Sequence, residues 1–271
     1  MMREGNISGP GIDPGLFPRP LGARSVIASL LMRSQPPRMP GARLVQWCGL
    51  FGIREGTARV ALSRMVDRGE LTASGGSYEL AGRVRRRRSE QDWSLDPKFD
   101  RWDGAWRLVV VGPGARRPED RSALRGAMRA LRFAPVREGV WTRPDNLPRA
   151  SAPREVWEVV EDQCQTWAGR PDGDARVLAA ELFDVQTWAD RAEMLTERLR
   201  GATNRVRAAG DASLGDAFVA GAASLAHIRI DPLLPRELAP ALASGDALRF
   251  AYHSYEEAFS KALRSWFATH C

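Results

Sequence analysis

Three cysteines, three histidines and almost no lysine set the first limits on this chain of 271 residues. Cys48, Cys164 and Cys271 stand far apart, are odd in number, and belong to no Cys-x-x-Cys or His–Cys cluster. Neither a disulfide framework nor a zinc site is indicated, so the cysteines read as small core or surface thiols. Histidine-based catalysis has few places to stand, and a histidine inside an aromatic helix, as at His253, reads as a packed residue. A Gly-x-Ser-x-Gly elbow, a Walker loop, a Gly-x-Gly-x-x-Gly turn and a His-Glu-x-x-His helix are all missing. No apolar run approaches the roughly 18 residues that a membrane helix needs. The stretch from Met1 to Gly22 has neither the apolar core nor the small-residue cleavage site of a secretory signal. These absences lead to the expectation of a cytoplasmic protein that is not an enzyme, holds no metal or cofactor and has no membrane partner.

What the chain has is arginine, unevenly spread. The formal net charge is +7, yet the segment from Arg24 to Arg88 alone carries 13 arginines against Glu55, Asp67, Glu70 and Glu79. That segment is +9 and the remainder is therefore net negative. A concentrated positive charge of this kind is the footprint of a polyanion partner. Hydrophobic residues at 44% are enough to bury a sizeable core.

Gly and Pro crowd residues 1–22, which read as a flexible arm. Helical periodicity begins at Val26, Ile27, Leu30 and Leu31 and is broken by Pro36, Pro37 and Pro40. A short second helix carries Leu44, Val45, Cys48 and Leu50. A third, from Ile53 to about Arg68, stacks Ala58, Leu62, Met65 and Val66 on one face and stops at Gly69. Leu71–Ala73 and Tyr78–Leu80 flank Ser74-Gly75-Gly76-Ser77 as a hairpin. Three short helices and a hairpin predict a winged helix-turn-helix over 23–88, with the third helix in the major groove of double-stranded DNA and the hairpin along the backbone. The outward side of that helix offers Thr57, Val60 and Arg64, flanked by Arg54, Arg59 and Arg68. Arginine forks onto guanine or phosphate, and Thr57 reaches either. The DNA-contacting set is then Arg54, Thr57, Arg59, Arg64, Arg68, Ser77 on the wing, and Arg85 and Arg86 of the arginine run behind it.

A polar linker over 89–101 leads to a middle domain over 102–184. Trp106–Val111 reads as a buried strand, a helix follows from about Glu119, and Phe133–Trp141 pairs across Arg137-Glu138-Gly139. A helix carrying Val156, Val159, Val160, Gln163, Cys164 and Trp167 comes next, and Val177–Phe183 is read as the last strand. The order β-α-β-β-α-β predicts a ferredoxin-like domain in a multidomain α+β chain. Residues 185–271 read as a helical domain, whose last helix has an apolar face wide enough to serve a second subunit in dimerisation.

Several of these segments resemble the PaaX family, the transcriptional repressors of phenylacetic acid degradation operons. The likeness runs from Ala23 to Trp266. Ala23-Arg24-Ser25-Val26-Ile27 is similar to the family's first helix, and Gly52-Ile53-Arg54-Glu55-Gly56-Thr57-Ala58-Arg59-Val60-Ala61-Leu62-Ser63-Arg64-Met65-Val66 to its recognition helix. Trp102-Asp103-Gly104-Ala105-Trp106, Gly139-Val140-Trp141-Thr142-Arg143-Pro144 and Asp231-Pro232-Leu233-Leu234-Pro235-Arg236-Glu237-Leu238 look like three further family elements. The resemblance implies a homodimeric repressor that an aryl- or acyl-coenzyme A, phenylacetyl-CoA in the best-known members, releases from DNA, with residues 185–271 as its effector domain. Coenzyme A phosphates want arginine and the acyl group an apolar slot, so Trp141, Arg143, Tyr252 and His253 are the effector-site candidates. The long arm and residues 150–185 depart from the family pattern, which bears on the identity of the effector.

Two rival readings remain. Ferredoxin-like domains also serve as metal-dependent nucleases, but such an enzyme needs carboxylates at a strand end, and Val110-Val111-Gly112-Pro113 supplies none. An effector-free dimeric DNA-binding protein is the other.

Overall fold

The computed structural model describes residues 22–34, 36–114, 116–209 and 213–270, except for the side chains at 83, 85–87, 89 and 90. The arm expected over 1–22 lies, but for its last residue, outside the described residues. The chain is a mixture of helices and two antiparallel sheets, and it divides into two compact units. One holds Met1–Arg88, Glu197–Leu225 and Ala251–Cys271, and the other Ser89–Thr196 and Ala226–Phe250.

In the first unit α1 (Ala23–Arg33), β1 (Arg38–Pro40), α2 (Gly41–Gly49), α3 (Glu55–Asp67), β2 (Leu71–Ser74) and β3 (Ser77–Leu80) follow in order. Helix α1 buries Val26, Ile27, Leu30 and Leu31 and α3 buries Ala58, Leu62 and Met65, as their periodicity marks, whereas α2 buries Leu44 and Cys48 together with Trp47, which was not expected, and leaves Leu50 exposed. The strands form an antiparallel sheet in the order β1-β3-β2. Gly75 and Gly76 take φ of +56° and +72°, the two consecutive left-handed residues that a tight hairpin turn demands. Strand β1 lies where only a proline break was expected. Three residues are too few for a periodic signal, and Pro40 is tolerated because it ends an edge strand.

The same unit includes parts of three long helices, α8 (Val185–Ala209), α9 (Leu214–Ile228) and α10 (Ala243–His270). Their aromatic rings close over α1 and α2. Trp47 lies edge-on to Phe218 at 5.5 Å, Phe259 at 6.1 Å and Trp266 at 5.8 Å, geometries that the ring quadrupole favours. Arg33, at the end of α1, is inserted among Phe218, Tyr252, Tyr255 and Phe259 at 5.2–5.9 Å and pairs with Glu256. A buried guanidinium needs such company, because unpaired it would cost far more than packing returns.

In the second unit β4 (Trp106–Val111), α5 (Pro118–Ala130), β5 (Ala134–Arg137), β6 (Val140–Pro144), α6 (Arg154–Gln163) and β7 (Cys164–Gly169) build an antiparallel sheet in the order β5-β6-β4-β7. Val109 of β4 packs with Leu124, Ala127 and Met128 of α5 and Trp157 and Val160 of α6. Two expectations are corrected. Val177–Phe183 is no strand, because α7 (Ala175–Leu182) occupies it, and the closing strand is β7. Strand β7 is almost wholly exposed, so it has no apolar alternation to betray it, while Ala–Leu-rich α7 is opened by Asp174, whose side chain accepts from the Arg176 N–H. The linker expected over 89–101 is half helical, since α4 (Gly82–Leu95) runs through it and buries Gln91, Trp93 and Ser94.

Candidate nucleic-acid interface

Helix α3 owes its outward face to the burial of its inward one. With Ala58, Leu62 and Met65 held against α1 and α2, the 3.6-residue repeat turns Thr57, Val60, Arg64 and Arg68 outward. Gly52, at φ +67°, makes the turn that separates α2 from α3. Glu55 sits in the first turn, where the helix dipole favours an acid, and ties down Arg59 one turn later at 2.7 Å.

The outward face is concave. Arg24, Gly56, Thr57, Val60, Ala61, Arg64, Met65 and Arg68 line a groove of about 410 Å³, with no carboxylate among them. Arg24 comes from α1 and was not among the expected contacts. Its Nε and Nη2 donate to Glu70 at 2.7 and 2.9 Å, which fixes the guanidinium at the groove's edge. No local repeat links position 24 to positions 57–68, so the sequence carries no signal for this placement. Arg64 and Arg68 are exposed and enter no ion pair among the described residues.

Of the other expected DNA contacts, Arg54 is exposed at the N-terminal boundary of α3, outside the groove lining. Arg59 is exposed but engaged with Glu55, and Ser77 is half-buried where β3 leaves the turn. Arg85 and Arg86 fall on α4, and their side chains lie outside the described residues. Arg38, outside the expected set, is exposed and donates to the Ser74 carbonyl at 3.1 Å, beside the hairpin turn.

Among the effector-site candidates, Trp141 and Arg143 belong to the second unit, Tyr252 and His253 to the first. Trp141 packs against the α5–α6 core. Arg143 is 3% exposed and donates to the carbonyls of Leu131, Pro144 and Leu233 and to Asn146 Oδ1. Burial, helped by the neighbouring Arg132 charge, draws its guanidinium down to about 9. Tyr252 is buried beside Arg33, and burial raises its hydroxyl well above the ordinary phenol range. His253 is exposed on α10. The Arg143 side chain also borders a crevice in the second unit, about 10 Å³ in volume, together with Trp93, Arg107, Asp145 and Trp157. That is room for about one water-sized group. Among the described residues no group of three or more His, Cys, Asp or Glu could hold a metal ion, and no helix is long and apolar enough to cross a membrane.

Comparison with known proteins follows the same division of the chain. A family model described as PaaX-like protein matches residues 22–84, and one described as PaaX protein central Cas2-like domain matches residues 100–162. Among solved structures, the uncharacterized protein Rv0674 from Mycobacterium tuberculosis is 34% identical, with a TM-score of 0.66 over 90% of this chain and 98% of that one. No curated protein matches the chain.

Proposed function

The chain belongs to the PaaX family, transcriptional regulators of phenylacetic acid catabolism, and from that premise we propose that it is a dimeric repressor released from its operator by an aryl- or acyl-coenzyme A. The observation that carries the DNA-binding part is the groove on α3, walled by Arg24, Arg64 and Arg68 and free of carboxylates. The order α1-β1-α2-α3-β2-β3, with its glycine-turned hairpin, supports reading the first unit's N-terminal part as a winged helix-turn-helix. In that geometry α3 enters the major groove, its arginines divide between guanine edges and phosphates, and the hairpin lies along the backbone. The β-α-β-β-α-β order, with strands β5-β6-β4-β7, supports a ferredoxin-like reading of the middle domain.

A dimer presents two copies of α3. They meet a roughly palindromic site when they stand about 34 Å apart, one turn of the duplex. An acyl-CoA releases such a dimer only by preferring a state in which that spacing is lost, since a ligand shifts an equilibrium by its differential affinity alone. Of the effector candidates, Trp141 of the second unit and His253 on α10 keep surface that a ligand could touch, whereas Arg143 and Tyr252 are buried and serve the packing around them. Fluorescence anisotropy on the duplex upstream of the protein's own coding region tests the proposal. Phenylacetyl-CoA is added to the formed complex, with free phenylacetate and free coenzyme A as controls. Release by the thioester alone is the expected result. Binding that ignores every thioester tried favours the effector-free reading, and no binding beyond that to random duplex removes the proposal.

A further inference from the structure

The groove on α3 is walled by arginine, yet its centre is a valine. Val60 is 50% exposed, whereas Ala61 beside it is half-buried and Met65 behind it is buried. An exposed valine serves neither helix nor core. Its branched Cβ makes it a poorer helix former than alanine, and half its surface stays in water. A lone exposed apolar residue is ordinary on a protein surface. What sets this one apart is its place between Thr57 and Arg64, in a concave lining whose charges are those of Arg64, Arg68 and the Glu70-paired Arg24.

A lining of this charge fits a polyanion, and the major groove of duplex DNA shows an apolar group on just one base, the C5 methyl of thymine. We infer that Val60 is a specificity-determining residue that packs on the methyl group of a thymine in the operator. This rests on the proposed entry of α3 into the major groove and adds the base that the groove's centre selects. The helix rises about 1.5 Å per residue, so Val60 and Arg64 stand about 6 Å apart along it, roughly two base steps of 3.4 Å. Arg64 therefore finds its guanine within about two pairs of that thymine, and Thr57 lies on the other side.

The test starts from a duplex selected by the full-length protein from random sequence. Each thymine is then replaced singly by deoxyuridine, which removes the methyl and leaves every Watson–Crick and groove hydrogen-bonding group in place. The expected result is one thymine, or one per half-site, whose replacement weakens binding about fourfold, the worth of one methyl taken from water. Val60→Ala should then bind the thymine and deoxyuridine duplexes equally, with an unchanged melting temperature. Arg68→Ala, by contrast, should weaken both alike. Indifference to every methyl, or a Val60→Ala protein that still tells thymine from deoxyuridine, overturns the inference and leaves DNA binding standing. Failure to select any sequence overturns the reading of α3 as a DNA-binding helix, and the inference with it.

Discussion

Arg33 and Arg64 are both helix arginines of the first unit, and their surroundings give them opposite work. Arg64 faces water without an ionic partner among the described residues, so its charge is available to a ligand and contributes little to folding. The Arg33 side chain is 7% exposed, lies within 6 Å of four aromatic rings by the distances above, and pairs with Glu256. Removing it would strand the Glu256 charge and open a void between α1 and α10. Arg64→Ala is therefore expected to weaken operator binding by about 1–3 kcal/mol while leaving the urea midpoint in place. Arg33→Ala is expected to lower stability by about 3 kcal/mol. Paired denaturation and anisotropy measurements on the two variants check both, and a folded Arg64→Ala protein with unchanged operator affinity would remove Arg64 from the interface.

At the scale of elements, the long helices approach one another through small residues and stacked rings. A Cβ added at Gly221 on α9 would fall 2.4 Å from the Tyr255 ring of α10, far inside van der Waals contact. Gly221→Ala is expected to cost about 1–3 kcal/mol, read from the shift in the urea midpoint. In the second unit His227 of α9 stacks on Trp188 of α8 at 4.7 Å, with Nε2 2.9 Å from the Trp188 carbonyl. The carbonyl can only accept, so Nε2 donates to it. Burial lowers the histidine below its ordinary 6.5, opposed first by the hydrogen bond to the Trp188 carbonyl and then by Asp231, with Arg191 adding to the lowering. Because the unfolded chain then takes up the proton first, the second unit should be most stable above about pH 6.5 and lose stability as pH falls below it. His227→Phe should flatten that acid limb in thermal melts followed from pH 7.5 to 5.5. An unaltered limb would assign it to other groups. The periodic helices α1 and α3 and the Gly75-Gly76 hairpin were legible in the sequence because each rests on a local rule. Strand β7 and helix α7 were not: Gln165, Thr166 and Trp167 all stay exposed, so the two-residue alternation that marks a half-buried strand is missing. Of the groove, Thr57, Val60, Arg64 and Arg68 could be read from one helix, whereas Arg24 enters through tertiary packing and its pair with Glu70.

At the scale of the whole chain, the first unit draws on stretches far apart in sequence, so the rings that hold Trp47 and Arg33 come from beyond residue 200. The arginine-rich surface and the helices that brace it thus belong to one compact unit, and a ligand that altered α10 would act on the packing behind α1. The central claim is that this unit grips operator DNA through α3 and its arginines. It is tested most directly by anisotropy titrations of the intact protein against its own upstream duplex and a scrambled one, at roughly 50 and 200 mM salt. Six to ten phosphate contacts would cost on the order of 10³–10⁵ in affinity across that range. The account predicts tight binding to the upstream duplex, weaker binding to the scrambled one, and a fall of that order for both. Equal affinity for the two duplexes, or binding indifferent to salt, would contradict it.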